Sequence, residues 1–263
     1  MPPRTPDAPP SVIGRVSAVF DAFTTEDADL SVGEIARRSA LAKATASRLV
    51  TELVGYGFLE RSGRRIRLGL RFFELGERAA RPRELRRLAL ATMADLRSAT
   101  RQTVHLAVLD GTEVVYVMIL HSRDAPRLAS RVGGRIPAHA TAVGKALLAW
   151  APQAEVDAVI AAGLPAVGPA TITDEAALRA ELATVRERGV AYERNESGPG
   201  VLCAAAPITG SRSGPIAAVS VSAGVGIVEP DQVGLAVRTA ANALSRQAAL
   251  IPGLDRDVWA DLP

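Results

Sequence analysis

Residues 11–68 contain three short helical patterns followed by a basic hairpin, and few folds accommodate this order. In the first pattern, apolar residues recur at spacings of three and four and so form one helix face. The second pattern begins with SVGE, from Ser31 to Glu34. The Ser31 hydroxyl can accept the Glu34 amide while the Glu34 carboxylate reaches back, which is a capping box.

A third helix is predicted from about Lys43 to Tyr56. The segments Phe58–Glu60 and Ile66–Leu68 then favour two short strands joined by a glycine-containing turn, hence a two-stranded hairpin. Three short helices followed by a basic hairpin are typical of a winged helix-turn-helix, in which the last helix of the motif enters the DNA major groove. We therefore predict a DNA-binding domain over residues 11–68.

Positive charge is concentrated in this region. Residues 31–71 carry nine Lys or Arg against three Asp or Glu, whereas the whole chain has a net charge of only +3. Such a basic segment favours a polyanionic partner. Arg48 is the best candidate for a paired guanine contact, and a solvated helix face is the alternative. The predicted DNA contacts are Lys43, Thr45, Ser47 and Arg48 on the third helix, and Arg64 and Arg65 at the hairpin tip.

The remaining chain predicts an α+β fold around an antiparallel sheet. A helical linker with an apolar patch of Phe72, Phe73 and Leu75 comes first, and a helix then continues to about Thr100. Asp110-Gly111 is a strong tight-turn signal. The predicted strands are Val104–Leu109, Val114–Leu120, Leu128–Val132, Val190–Arg194, Val201–Ile208 and Pro215–Ala223. The predicted helices are Ala140–Trp150, Gln153–Ala162, one capped by Thr173 that runs to Arg188, and Asp231–Leu250.

Cysteine content and hydropathy exclude several classes. Cys203 is the one cysteine, so an internal disulfide and a cysteine-based zinc site are excluded, and a reducing compartment is favoured. The proline-rich N-terminus lacks the apolar region of a signal peptide. No run of ~18 apolar residues, the length needed to span a membrane, is present. We expect a cytoplasmic protein that does not insert into membranes.

No motif predicts catalysis. Gly144-Lys145 lacks the Ser or Thr and the earlier Gly of a phosphate loop, and Gly210–Gly214 has Arg at the centre of a would-be nucleophile turn. The three histidines, His105, His121 and His139, have no spacing that indicates pairing or metal ligation. We therefore predict no catalytic residue, no metal and no cofactor. An enzyme and a ligand-independent DNA-binding protein remain the alternatives.

Three separated stretches carry a resemblance to a known family, and they span Ser11 to about Leu250. They are LSVGEIARRSALAKATASRLVTELVGYGFLE with RLGLRFFELG, then IPAHATAVGKALLA, and finally TITDEAALRAELATVRERGVAYERNESGPGVLCAAAPI with GPIAAVSVS. In these the chain resembles the IclR family of bacterial transcription regulators. The resemblance implies a winged helix, a GAF-like ligand-binding domain, a homodimer or homotetramer, and a small organic effector that is often an acid.

The resemblance also implies an effector pocket in the second domain. Ser220 and Ser222 would offer hydroxyls, Ala142 and Val143 backbone amides, and Leu128, Glu193 and Cys203 would line the wall. A buried, inert cysteine is the main alternative for Cys203, with catalysis as a third interpretation. The chain departs from the family where Ala40 replaces a frequent Gly, Ala44 a frequent Ser, Ile66 a frequent Tyr and Glu193 a frequent Asp.

Together these observations predict a DNA-binding regulator of transcription, a repressor, that binds a palindromic operator as a homo-oligomer. A small organic acid or aromatic effector would modulate it. The predicted organisation is a disordered tail over 1–10, the winged helix-turn-helix over 11–68, a helical linker over 69–84, the GAF-like antiparallel-sheet effector domain over 85–252 and a tail over 253–263.

Overall fold

The computed structural model describes residues 11–24, 27, 29–122, 130–210, 214–251 and 254. The chain divides into two compact units, Met1–Ala80 and Arg81–Pro263. The division lies within the predicted linker, 69–84. The predicted tails lie outside the described residues, except for Leu254. None of the helices within the described ranges is both long and apolar enough to cross a membrane.

The first unit has the predicted winged-helix architecture. A three-stranded antiparallel sheet of order β1-β3-β2 accompanies its helices, and the two-residue strand β1 was not predicted. Its elements are α1 (Val12–Asp21), β1 (Leu30–Ser31), α2 (Val32–Arg38), α3 (Lys43–Gly55), β2 (Leu59–Ser62), β3 (Arg65–Leu68) and α4 (Arg71–Arg78).

The predicted capping box at the start of α2 is confirmed. The Glu34 amide donates to the Ser31 hydroxyl at 3.2 Å, and the Ser31 amide donates to the Glu34 carboxylate at 2.7 Å. Below this cap, Leu30 and Ile35 are buried with Ile66 of β3 in the core of the unit. The cap therefore fixes the point at which the chain leaves the sheet and enters the helix.

Replacing Ser31 by alanine should destabilise α2 by about 1 kcal/mol, because one amide of its first turn loses its acceptor. Hydrogen–deuterium exchange of the α2 amides measures the loss directly. The control is Ser47→Ala on the exposed face of α3, where a change within ~0.5 kcal/mol is expected. Equal exchange in wild type and Ser31→Ala would show that the cap does not limit the stability of this helix.

The turn after α2 carries backbone strain. Ala40, where the family often has glycine, has φ of +55°, in the left-handed region that disfavours a Cβ. Such a residue costs of order 1 kcal/mol relative to glycine. The turn between α2 and α3 thus adopts the left-handed conformation with Ala40 in place of the frequent glycine, and it does so with strain at this one residue.

The predicted single apolar patch on α4 is wrong. Phe72 packs edge-on against Phe20 and Phe58, with ring centroids 4.7 and 5.6 Å apart. Phe73, in contrast, is 65% exposed and Leu75 is 38% exposed. Adjacent residues of a helix point about 100° apart, so the orientation that packs Phe72 against Phe20 and Phe58 leaves Phe73 exposed.

The second unit is a six-stranded antiparallel sheet of order β6-β5-β4-β9-β8-β7. Residues of α5 and α9 pack on one face, and residues of α6, α7 and α8 pack on the other. This is the α+β class expected from the sequence. Its elements are α5 (Ala80–Thr100), β4 (Thr103–Asp110), β5 (Glu113–Leu120), β6 (Arg135–Pro137), a 3-10 turn (Ala138–Ala140), α6 (Ala142–Leu148), α7 (Gln153–Ala161), α8 (Glu175–Arg188), β7 (Ala191–Arg194), β8 (Val201–Thr209), β9 (Pro215–Gly224) and α9 (Pro230–Ala248).

Three local predictions for this unit need correction. Ser130–Val132, the described part of the predicted third strand, is not a strand, and the strand is instead β6. It begins after Gly133, whose φ of +75° turns the chain back along β5. The predicted helix Ala140–Trp150 is shorter at both ends, because Ala140 belongs to a 3-10 turn, Thr141 is the N-cap and the helix ends at Leu148. Asp174, rather than Thr173, caps α8 by accepting the Ala177 amide at 2.9 Å.

Candidate DNA-binding helix and ligand cavity

The predicted DNA-contacting face of α3 is open to solvent. Lys43, Ser47 and Arg48 are exposed and Thr45 is half-buried. The opposite face, with Ala46, Leu49, Val50 and Leu53, is buried in the core of the first unit. Ala42 precedes the helix and supplies no side-chain cap, so the first amides of α3 keep their capacity to donate to an anion such as a backbone phosphate.

The two arginines predicted at the hairpin tip differ. Arg64 is exposed and makes no ion pair within the described part of the chain. Arg65 is held by two carboxylates: its Nε lies 2.6 Å from Asp29 and its Nη1 lies 3.1 Å from Glu34. It also donates to the Asp29 carbonyl at 3.0 Å. Arg65 therefore ties the hairpin to the α2 cap, and of these two arginines Arg64 is the one whose guanidinium has no counter-charge among the described residues.

A cavity of about 270 Å³ opens between the sheet and α6 in the second unit. This exceeds the ~150 Å³ that an engineered protein cavity needs to hold benzene. The predicted effector residue Leu128 lies outside the described residues. The other six predicted effector residues all line the cavity: Ala142, Val143, Glu193, Cys203, Ser220 and Ser222.

Strand register brings these residues together. Glu193 of β7 pairs with Cys203 of β8, which in turn pairs with Ser222 of β9. One pair further along, Ser220 lies opposite His105 of β4. Side chains at paired positions of an antiparallel sheet point to the same face. The four strands thus present one continuous polar row to the cavity, and α6 closes it from above.

Several lining residues were not predicted from the sequence. They include His105 and Tyr116 on the sheet, Ser130 after β5, Thr141 before α6 and Ser197 in the loop between β7 and β8. A strand pattern places His105 on the same face as Ala107, but it does not say which strand lies alongside. Only the strand order tells which distant residues His105 meets.

His105 joins a chain of hydrogen-bonding groups across the cavity wall. Its Nδ1 lies 3.3 Å from the Ser222 hydroxyl, and its Nε2 lies 2.8 Å from the Ser130 hydroxyl. The Cys203 Sγ lies 2.9 Å from the same Ser222 oxygen. Burial, aided by the charge of His121, lowers the pKa of His105 to about 3, so the imidazole is neutral at neutral pH. The spacing of His105, Cys203 and Ser222 along the sequence gave no indication of these contacts.

Cys203 and Tyr116, two further titratable groups of the sheet wall, are also neutral. Burial raises the pKa of the Cys203 thiol, and the negative charge of Glu193 raises it further. Burial likewise raises the pKa of Tyr116. Cys203 is therefore a thiol rather than a reactive thiolate, which supports its interpretation as a lining residue.

Glu193 is 2% exposed and is bonded to the chain on both carboxylate oxygens. One oxygen accepts the Ala142 amide at 3.2 Å, and the other accepts the Ser197 amide at 2.9 Å as well as the Ser197 hydroxyl. The Ala142 amide, predicted to serve a ligand, thus donates to Glu193 in this structure. The Val143 amide makes no hydrogen bond within the described residues.

Gly144 and Lys145 have structural roles next to the cavity. A Cβ on Gly144 would lie 1.9 Å from the Ala138 carbonyl oxygen, so only glycine permits this approach of α6 to the preceding turn. The Lys145 ammonium is 1% exposed and lies 2.7 Å from Glu196 and 2.9 Å from Glu181. These contacts explain the Gly-Lys pair without a phosphate ligand.

No group of three or more His, Cys, Asp or Glu within the described ranges is arranged to hold a metal ion. The polar groups that line the cavity are hydroxyls, a neutral imidazole, a thiol and one carboxylate. They suit hydrogen bonding to a small polar molecule better than metal ligation.

Two protein-family models match this chain. The model for the IclR helix-turn-helix domain matches residues 12–63, and the model for the bacterial transcriptional regulator IclR C-terminal domain matches residues 78–246. The chain belongs to the IclR family. It is thus a helix-turn-helix, DNA-binding regulator of transcription, as the sequence predicted.

Characterised IclR-family proteins align over most of the chain. The HTH-type transcriptional regulator XynR of Escherichia coli is 33% identical over 80% of this chain and 84% of its own. The transcriptional repressor IclR of the same organism is 28% identical over 78% and 76%. A crystal structure of an IclR homolog from Microbacterium hydrocarbonoxydans, complexed with 4-hydroxybenzoate, has a TM-score of 0.83 and 33% identity, and covers 90% of this chain and 99% of that one.

Proposed function

We propose that this IclR-family regulator represses transcription from a palindromic operator and changes its operator affinity when a small organic acid or aromatic molecule fills the cavity. The observation that carries the ligand part is the polar row of four strands that faces a cavity of about 270 Å³. The ligand part is supported by the 4-hydroxybenzoate complex of the Microbacterium relative. The repressor part is supported by the name of an E. coli relative, a transcriptional repressor.

The DNA part of the proposal assigns major-groove contacts to Lys43, Thr45, Ser47 and Arg48. Their face of α3 is exposed, and the uncapped start of the helix adds amide donors for a phosphate. Arg64 would contact the backbone from the hairpin. Arg65 would instead hold the hairpin in place through Asp29 and Glu34.

A homodimer or homotetramer would place two such helices on one operator. Its half-sites would then lie about one helical turn, ~34 Å, or a multiple of it apart. Binding to chromosomal DNA implies that the protein works in the cytoplasm.

Regulation requires that the ligand bind two DNA-binding arrangements with different affinity, since equal affinity would shift nothing. We assign the coupling to the linker helix around Leu70–Leu96. Inserting proline or glycine there should leave ligand binding and DNA binding intact but abolish the effect of one on the other. Parallel titrations with ligand alone and with DNA alone provide the control.

The proposed function is tested by electrophoretic mobility shift on the DNA upstream of the gene for this protein and of its divergent neighbour. We expect a sequence-specific shift that one member of a panel of carboxylic and aromatic acids releases. A shift that no acid alters would leave DNA binding standing and remove the ligand part. No shift even at low salt, where electrostatic binding is strongest, would contradict the DNA part as well.

An enzyme is the second candidate, and one observation favours it: the Ser222 hydroxyl lies 3.3 Å from an imidazole nitrogen of His105. A serine nucleophile needs a base that accepts its proton near neutral pH. Burial lowers the pKa of His105 to about 3, which makes it a weak base. Loss of a measurable turnover in Ser222→Ala or Cys203→Ala would revive this alternative.

A further inference from the structure

Two parts of the cavity wall come from outside the sheet. The first turn of α6 contributes Ala142 and Val143, and the loop between β7 and β8 contributes Ser197, Gly198 and Pro199. The separation between α6 and this loop therefore limits the size of an occupant and how closely the cavity holds it.

The loop Asn195–Gly200 is braced across its base. Asn195 and Gly200 both adopt the left-handed backbone conformation, with φ of +60° and +75°. The Asn195 side chain accepts the Gly200 amide at 2.7 Å, and the Asn195 amide donates to the Val201 carbonyl at 2.8 Å. Because the two ends of the loop are joined in this way, an anchor at one of its residues also positions the residues beside it.

One bridge between α6 and the loop runs through the cavity. Glu193 accepts the Ala142 amide with one carboxylate oxygen and the Ser197 amide with the other. The Ala142 amide is also a group that the family resemblance assigns to a ligand. An occupant that accepts a hydrogen bond from this amide competes with Glu193 and so weakens this bridge.

A second bridge runs behind the cavity wall. The buried Lys145 ammonium of α6 lies 2.7 Å from a carboxylate oxygen of Glu196 in the loop. The other Glu196 oxygen is buried and has no hydrogen-bond partner among the described residues, so the side chain is tethered through Lys145. Lys145 and Glu196 are not among the described residues that line the cavity. An occupant does not compete for their contact.

Other hydrogen bonds attach the loop to the segment before α8. The Thr171 hydroxyl donates to the Glu196 carbonyl at 2.6 Å, and the Ala170 amide donates to the Asn195 carbonyl at 3.0 Å. These bonds hold the backbone of the loop, but they do not join it to α6. Loss of the Lys145 contact should therefore loosen the loop against α6 without detaching it from the protein.

We propose that the Lys145–Glu196 pair is a clamp that positions the loop Asn195–Gly200 against α6, so that two residues which do not touch the occupant determine how tightly the cavity holds it. Lys145 and Glu196 are thus positioning residues rather than ligand-binding residues. The effect on affinity rests on the proposed function and deepens it, whereas the effect on the loop does not depend on any ligand.

Glu196→Ala breaks the clamp, and Glu181→Ala is the matched control. Each variant removes one of the two carboxylates that contact Lys145 and leaves the other to neutralise it. Glu181 lies on α8, so its removal leaves the contact between Lys145 and the loop intact. A difference between the two variants therefore reports the position of the loop rather than the loss of one negative charge.

Cys203 reports the state of the wall in the full-length protein without a ligand. It is the single cysteine of the chain, lines the cavity and is 8% exposed. We expect N-ethylmaleimide at pH 8 to modify it at least about tenfold faster in Glu196→Ala than in wild type, since loss of a hydrogen bond to a charged group shifts a local opening equilibrium by about that factor. Glu181→Ala should react at nearly the wild-type rate. Urea denaturation of each protein gives the share of the rate that global unfolding contributes.

The effect on affinity is measured by titrating the same three proteins with 4-hydroxybenzoate. We expect Glu196→Ala to bind it about tenfold more weakly than wild type, for the same loss of one charged hydrogen bond, and Glu181→Ala to bind it nearly as wild type does. Both variants should keep the mobility shift on operator DNA, because neither residue belongs to the first unit. If wild type does not bind the probe, the affinity part falls with the proposed ligand function, and the thiol rates still decide whether the clamp holds the loop.

Equal modification rates in wild type and Glu196→Ala, or an equal acceleration in both variants, would overturn the clamp. Faster modification of Glu196→Ala with unchanged affinity for the probe would overturn its effect on binding. If Glu196→Ala does not fold, Glu196→Gln takes its place. Glutamine keeps the volume and loses the charge, so a smaller acceleration in the same direction is expected, and a rate equal to that of wild type would contradict the proposal.

Discussion

Lys145→Met is expected to lower the free energy of unfolding of the second unit by about 3–5 kcal/mol, the usual cost of removing one partner from a buried ion pair. The Lys145 ammonium is 1% exposed and meets Glu196 and Glu181 at hydrogen-bond distance. Methionine fills a similar volume but leaves Glu196 buried without a cation. Urea denaturation followed by the fluorescence of the two tryptophans, Trp150 and Trp259, measures the change. The chain's other lysine supplies the control, since Lys43→Met on exposed α3 should change stability by less than ~0.5 kcal/mol.

The loss of stability in Lys145→Met should depend on pH and on Glu196. Burial raises the pKa of Glu196 even though Lys145 opposes the rise. A group whose pKa is raised by folding binds protons more tightly in the folded state, so it favours folding at low pH and opposes it as pH rises. Without Lys145 that pKa rises further. The loss should therefore be smaller at pH 5 than at pH 8, and Glu196→Gln should restore most of it. An equal loss at both pH values would show that the buried charge is not its cause.

Arg48→Ala is expected to weaken binding to the specific operator about ten- to a hundredfold, the value of a paired guanine contact. Arg48 stands on the exposed face of α3, one residue before the buried Leu49. Because a contact to a base neutralises no phosphate, the removal of Arg48 should leave the dependence of binding on salt nearly unchanged. Fluorescence anisotropy with specific and scrambled duplexes measures both quantities.

Two variants separate base recognition from charge. Arg48→Lys keeps the charge but not the paired geometry, so it should lose discrimination between operator and scrambled DNA while it keeps non-specific affinity. Arg246→Ala, on the exposed side of α9, is the control for loss of one positive charge elsewhere. If Arg48→Ala and Arg246→Ala weaken binding equally, Arg48 contributes only to the overall charge.

Local structure was predictable from the amino-acid sequence wherever neighbouring residues supply the interaction. The Ser31–Glu34 capping box, α3 from Lys43 and the left-handed Gly189 at the end of α8 depend on contacts within a few residues, and they are as predicted. The strand-and-helix order likewise predicted the α+β class. The family resemblance, not spacing, supplied the six predicted residues that line the cavity.

Contacts between residues that are far apart in the sequence could be read only from the folded chain. Glu193, Cys203 and Ser222 meet because β7, β8 and β9 pair in one register, and His105 joins them because β4 lies beside β9. A pattern with a period of two gives the face of a strand but not its neighbour. For the same reason, the sequence could not show that Arg65 is held by Asp29. Electrostatic partners are chosen by distance in space, and that distance exists only once the chain has folded.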